Sequence, residues 1–90
     1  MNRNFHPKAW ADYRYWLEAD PKLLRKINEL IRGCTRSPFK GLGKPEPLRG
    51  EFAGQWSRRI DDEHRMIYRV TGSGDAQTLE IIQLRFHYNK

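Results

Sequence analysis

Asp20-Pro21 followed by Leu23, Leu24, Ile27, Leu30, Ile31 and Cys34 narrows the folds open to this chain more than any other feature. An aspartate can accept hydrogen bonds from the free amides of a first helical turn, and the fixed φ of proline suits the position after it. Apolar residues at helical spacing then predict an amphipathic helix with Gly33 close to its end. Upstream, Pro7 occupies a second such first turn, and Trp10, Tyr13 and Leu17 follow at i, i+3 and i+7. They predict a shorter helix after an extended start around Asn4 and Phe5.

From Thr35 to Leu48 the patterning stops, because Pro38, Gly41, Gly43, Pro45 and Pro47 exclude regular structure, while Arg36, Lys40 and Lys44 keep the stretch basic. Long loops in small domains tend to carry function. Alternating segments follow at about 55–60, 64–70 and 78–86, separated by turns near Asp61-Asp62 and at 71–75, and they predict an antiparallel meander. Two N-terminal helices packed on one face of a twisted, mainly antiparallel sheet make an α+β fold.

Side chains alternate between the faces of a strand, so Trp56, Ile60, Met66, Tyr68, Val70, Ile82, Leu84 and Phe86 are expected against the helices. The opposite face then collects Arg59, Glu63, Arg65, Arg85 and His87. The same parity places Tyr88 on the helix side unless the chain bends, and it leaves Glu46 undetermined in its loop.

Ninety residues suffice for one domain, 1–90, burying about 60 to 65% of the unfolded chain's surface. A net charge of +6 directs the chain towards polyanions, with nucleic acid the commonest of them and an acidic protein a second choice. The single cysteine, Cys34, allows no internal disulfide and reads as a small core residue. No Cys/His spacing offers a metal-ligand set, so neither metal nor cofactor is expected. No export signal or membrane span is visible, which suits a cytoplasmic protein.

The stretch Gly54 to Tyr68 places Arg58, Arg59, Glu63, His64 and Arg65 on two adjacent short strands, the raw material of a phosphate-handling site. Glu46 lies upstream between Pro45 and Pro47, and His87-Tyr88 sets a titratable side chain beside an aromatic one. Each feature has a plainer reading. An arginine pair on a strand is commonly a solvated surface, Pro-Glu-Pro is a stiff loop, and Trp10, Tyr13 and Trp16 suit helix packing. His6 and His64 read as structural. The conjunction of acid, arginines and histidine on one surface of a basic chain favours chemistry.

These residues also carry a resemblance. Lys26 to Ile31, Pro38-Phe39-Lys40-Gly41, Gly43 to Leu48, Trp56 to Ile60, Glu63 to Tyr68 and His87-Tyr88 together resemble the YoeB-type toxins of the RelE/ParE superfamily, over nearly the whole chain. The resemblance implies a RelE-like fold related in outline to the microbial ribonucleases. It implies a ribosome-dependent endoribonuclease that cuts messenger RNA in the A site and is silenced by a YefM-type antitoxin, expected to be acidic and to fold on binding. It also implies a homodimer. Carried over by position are Glu46, Arg59, Glu63, Arg65, His87 and Tyr88. Arg49 stands where the family often has lysine, the turn after Val70 is longer than usual, and Asn89-Lys90 extends the terminus.

Cleavage by the RNA's own 2′-hydroxyl needs a base, an acid and cations for the phosphorane. Glu46 is expected as base, His87 as acid, Arg65 and Arg59 as phosphate clamps, Glu63 as a group orienting an arginine, and Tyr88 as a guide for the scissile nucleotide. Lys40, Lys44, Arg49 and Arg58 are expected to bind RNA or ribosome. Two other readings stay open: a non-catalytic inhibitor of a translation component or, as in the ParE branch, of DNA gyrase, and a free single-strand RNA-binding module.

Overall fold

The structure, a computed structural model, describes residues 1–87. In chain order it contains β1 (Asn2–Phe5), α1 (Pro7–Ala19), α2 (Pro21–Arg36), β2 (Glu46–Pro47), β3 (Trp56–Arg59), β4 (Arg65–Thr71) and β5 (Thr78–Gln83). Asp20 caps α2 as its sequence predicts, its side chain accepting from the Leu23 amide at 3.2 Å. The five strands form one sheet in the order β1-β5-β4-β3-β2. The three strands of the expected meander pair antiparallel, whereas β1 joins β5 in parallel. Two residues of the loop, Glu46 and Pro47, pair antiparallel with Ser57 and Trp56, so the proline-rich stretch is not wholly irregular.

The core lies between α1 and α2 and the sheet face carrying Ile60, Met66, Tyr68, Leu79 and Ile81. The parity holds for β3 and β4 but fails on β5, where Leu79 and Ile81 are buried and Ile82 is only half-buried. Tyr68 pairs with Ile81 and Ile67 with Gln83, leaving Ile82 as an extra residue opposite that step. Such a bulge reverses which side chains face inward after it, which is why Leu84 is again in the core. Phe86, expected inside, is exposed with φ +67, because the ladder ends at Gln83 and the chain bends.

Helix α1 also turns a face other than the expected one. Ala9, Asp12 and Trp16 are buried, while Trp10 and Leu17 are half-exposed or more. Trp10 stacks on Tyr13 at 5.5 Å, and Phe5 meets both rings edge-on.

Arg58 is completely buried and is a core cation instead of the expected RNA-binding group. Its guanidinium donates to the carbonyls of Ser37, Lys40 and Leu42, and its Nε to the Tyr68 hydroxyl at 3.3 Å. That hydroxyl donates in turn to the Pro38 carbonyl at 2.6 Å. The long loop is thus tied from beneath to β3 and β4. Burial, partly offset by the hydrogen bond from Arg58, raises the Tyr68 phenol well above its ordinary range. Burial likewise raises the Cys34 thiol, against the pull of Arg58.

Candidate active site

The sheet face opposite the helices carries a cleft lined by Lys44, Pro45, Glu46, Ser57, Arg59, Arg65 and His87. Each arrives by an identifiable local cause. The Gly43 carbonyl accepts from the Arg59 amide at 2.7 Å, which pins the end of the loop to β3. Gly43 has φ +88 and Lys44 φ +52, and two successive left-handed residues swing the chain into β2. A side chain at Gly43 would put its Cβ 2.8 Å from Leu30 Cδ2. Glu46 then sits beside Ser57 across the β2–β3 pair, on the open face.

Arg59 and Arg65 are directly opposite each other in the β3–β4 register. Like charges so placed repel and destabilise a sheet. Their juxtaposition, with Lys44 nearby, is a cost that the Glu46 carboxylate offsets in part and that an anion entering the cleft would relieve further.

Arg65 is fixed by the turn before it. The Asp61 side chain accepts from the Glu63 and His64 amides at 2.9 and 2.7 Å. The Asp61 and His64 carbonyls accept from Arg65 Nη1 at 2.7 and 3.0 Å. The orienting groups are thus carbonyls of the turn and not, as expected, the Glu63 carboxylate. The Glu63 side chain is 76% exposed, lies 3.7 Å from His64 Nε2 and is not part of the cleft lining.

His87 reaches the cleft because residues 84–86 are pegged to the body. The Leu84 amide donates to Asp12 Oδ2 at 3.0 Å, and its carbonyl accepts from Trp16 Nε1 at 2.9 Å. Gln83 Nε2 donates to the Arg85 carbonyl at 2.7 Å. Arg85 does not join the cleft face as parity suggests: its guanidinium stacks 3.6 Å from the Tyr15 ring centre on α1 and 4.5 Å from that of Phe86.

Of the expected catalytic set, Glu46, Arg59, Arg65 and His87 come together, Glu63 stands aside, and Tyr88 lies outside the described residues. Of the expected RNA-binding set, Lys44 lines the cleft and Lys40 is exposed on the loop. Arg49 borders an adjoining groove with Glu46, Pro47, Leu48 and Phe52. Sequence reading missed Ser57, Asp61 and Asp12. The Asp61-Asp62 pair did signal the turn, but nothing in the sequence distinguishes Asp12 from a solvated helix residue. Among the described residues, no cluster of three or more His, Cys, Asp or Glu side chains is placed to hold a metal, and no helix is long and apolar enough to cross a membrane.

Two helices on one face of a five-stranded mixed sheet, with a cationic cleft on the other, define a RelE-like toxin fold. Escherichia coli YafQ, only 15% identical, superposes with a TM-score of 0.76 over 97% of this chain and 93% of its own. The chain belongs to the YoeB-like toxins of bacterial type II toxin–antitoxin systems, whose family profile matches residues 5–88. A YoeB/ParE toxin from Agrobacterium tumefaciens is 56% identical, with a TM-score of 0.95 over 98% of this chain and all of that one. Toxin YoeB of Mycobacterium bovis is 53% identical over 94% of this chain and 95% of its own. From Staphylococcus aureus, a YoeB dimer and a heterotetrameric YoeB–YefM complex superpose at TM-scores of 0.83 and 0.84, with 38% and 39% identity over 98% of both chains.

Proposed function

We propose that this toxin is a ribosome-dependent endoribonuclease that cuts messenger RNA in the A site and so halts translation. The observation that carries the reading is the cleft itself: a carboxylate, an imidazole and two opposed guanidiniums, supplied by four separate chain segments. A binder of polyanions needs the cations alone. An acid and a base beside them suit proton transfer.

Glu46 takes the proton of the ribose 2′-hydroxyl, whose oxygen forms a bond to the adjacent phosphorus. Arg59 and Arg65 hold the charge that gathers on the phosphoryl oxygens, with Arg65 stiffened by its two carbonyl partners. His87 protonates the departing 5′-oxygen as the bond from phosphorus to that oxygen breaks. The products are a 2′,3′-cyclic phosphate and a free 5′-hydroxyl. Lys44, Lys40 and Arg49 extend the positive surface along the RNA and ribosome. For Tyr88 and its guidance of the scissile nucleotide, the support is the resemblance alone.

A ribosomal substrate implies a cytoplasmic site of action. A YefM-type antitoxin, with an acidic segment that folds on binding, suits the +6 charge and the YoeB–YefM complex known from Staphylococcus aureus. The YoeB dimer from the same organism supports a homodimer.

The test is brief induction of wild type, Glu46→Ala and His87→Ala with transcript ends mapped. Wild type should yield ends bunched within codons, and each variant should lose about 10²- to 10⁴-fold in cleavage rate on programmed ribosomes while keeping its fold. Intact messages under growth arrest would favour a non-catalytic inhibitor, and tight, salt-dependent binding to naked RNA without ribosomes would favour a free single-strand RNA-binding module.

A further inference from the structure

We infer that His64 is a positioning residue for His87, acting as the acceptor that pegs the bend from which His87 enters the cleft. The inference rests on the nuclease reading of that cleft. His64 is buried, and its ring packs edge-on against Trp16 with centres 4.8 Å apart. Its Nδ1 accepts the Phe86 amide at 2.7 Å. A backbone amide only donates, so Nδ1 carries no proton and the ring proton sits on Nε2, the side facing Glu63.

The bond falls where the chain most needs it. Phe86 has φ +67, a conformation a phenylalanine adopts only when its surroundings impose it. Both its backbone groups are held, the amide by His64 and the carbonyl by the Arg65 amide at 3.0 Å. His64 and Arg65 are adjacent, and the His64 carbonyl also accepts from the Arg65 guanidinium at 3.0 Å. One turn therefore fixes both the cation at the cleft and the backbone that delivers the imidazole. Without the peg, Phe86 relaxes to an ordinary φ and His87 swings away from Glu46 and the arginines.

The test compares wild type with His64→Leu, which fills the site without an acceptor, and His64→Asn, whose side-chain oxygen lies near the Nδ1 position. His64→Gln reaches towards Nε2 instead and should not rescue. Single-turnover cleavage on programmed ribosomes is measured in native and His87→Ala backgrounds, and exchange of the Phe86 amide is followed by NMR. The leucine variant should cleave about 10- to 100-fold more slowly with its half-saturating ribosome concentration little changed, and asparagine should restore most of the rate. In the His87→Ala background, the leucine change should add less than about twofold. The Phe86 amide should be protected in wild type and in the asparagine variant but exchange freely in the leucine and glutamine ones.

Full activity of the leucine variant, or an additive loss in the His87→Ala background, would overturn the inference. If wild type cuts no RNA, the nuclease reading fails. Exchange then still decides the peg, and equal Phe86 protection in wild type and the leucine variant would refute it. Should the leucine variant not fold, the asparagine and glutamine pair carries the same comparison.

Discussion

Replacing Arg58 with methionine should cost stability, whereas the same change at its neighbour Arg59 should not. Methionine keeps an unbranched stem in the core but removes the guanidinium and strands the carbonyls of Ser37, Lys40 and Leu42. Hydrogen bonds from a charged donor are worth about 1.5 to 3 kcal/mol each, so three amount to roughly 5 to 9 kcal/mol. Against that, the variant no longer has a cation to keep out of water, which returns several kcal/mol, and the net loss is about 2 to 5 kcal/mol. The whole fold is worth about 5 to 13 kcal/mol at this length, so the loss removes a large share of it. With a urea slope near 1.5 kcal/mol per molar, the unfolding midpoint should fall by about 1 to 3 M. Arg59→Met, at an exposed position, should leave stability within about 0.5 kcal/mol of wild type, a midpoint shift of at most about 0.3 M, or raise it slightly by relieving the repulsion with Arg65. A midpoint for Arg58→Met within about 0.3 M of wild type at unchanged slope would refute the assignment of Arg58 as the tie beneath the loop.

Glu80 accepts from His6, Thr71 and Arg69 at 2.9, 2.9 and 3.1 Å, and these bonds lower its carboxyl to about 2, the His6 bond contributing most. A depressed carboxylate stabilises the fold fully above its ordinary value of about 4.5 and loses that contribution as pH falls towards 2. Melting temperature against pH should therefore drop for wild type across this window, and Glu80→Gln should start lower at neutral pH and fall less steeply; parallel curves would count against the cluster. Gly43→Ala should destabilise by about 2 to 3 kcal/mol, since it combines a left-handed residue with a methyl pressed against buried Leu30. Thermal unfolding checks this, and a melting temperature equal to wild type would show that the loop end can shift without penalty.

Much of this architecture was legible in the sequence because its signals are local. The Asp20 cap, the α2 stripe and the alternation of β3 and β4 depend on residues a few positions apart, and the cleft follows because parity carries Arg59 and Arg65 to one face. What escaped depends on long-range partners. Asp12 looks like a surface aspartate until the Leu84 amide, far along the chain, arrives to bond it. Alternation turns Arg58 towards the helices, but that its charge stays buried there depends on loop carbonyls folding over it. The bulge at Ile82 leaves no mark in a run of apolar residues, yet it decides how the chain is turned as it leaves the sheet.

The outer margin of β2 has a further implication for what can cover the cleft. The Leu48 amide bonds inward to the Gln55 carbonyl, so alternation points positions 45 and 47 away from the sheet, and both are prolines. That margin offers no N–H group over the residues flanking Glu46, and another chain cannot zip onto it as a sixth strand. Whatever shields this end of the molecule must do so through side chains or a helix laid across it. The border carrying the carboxylate is thereby closed to strand addition from another copy of the chain along this edge.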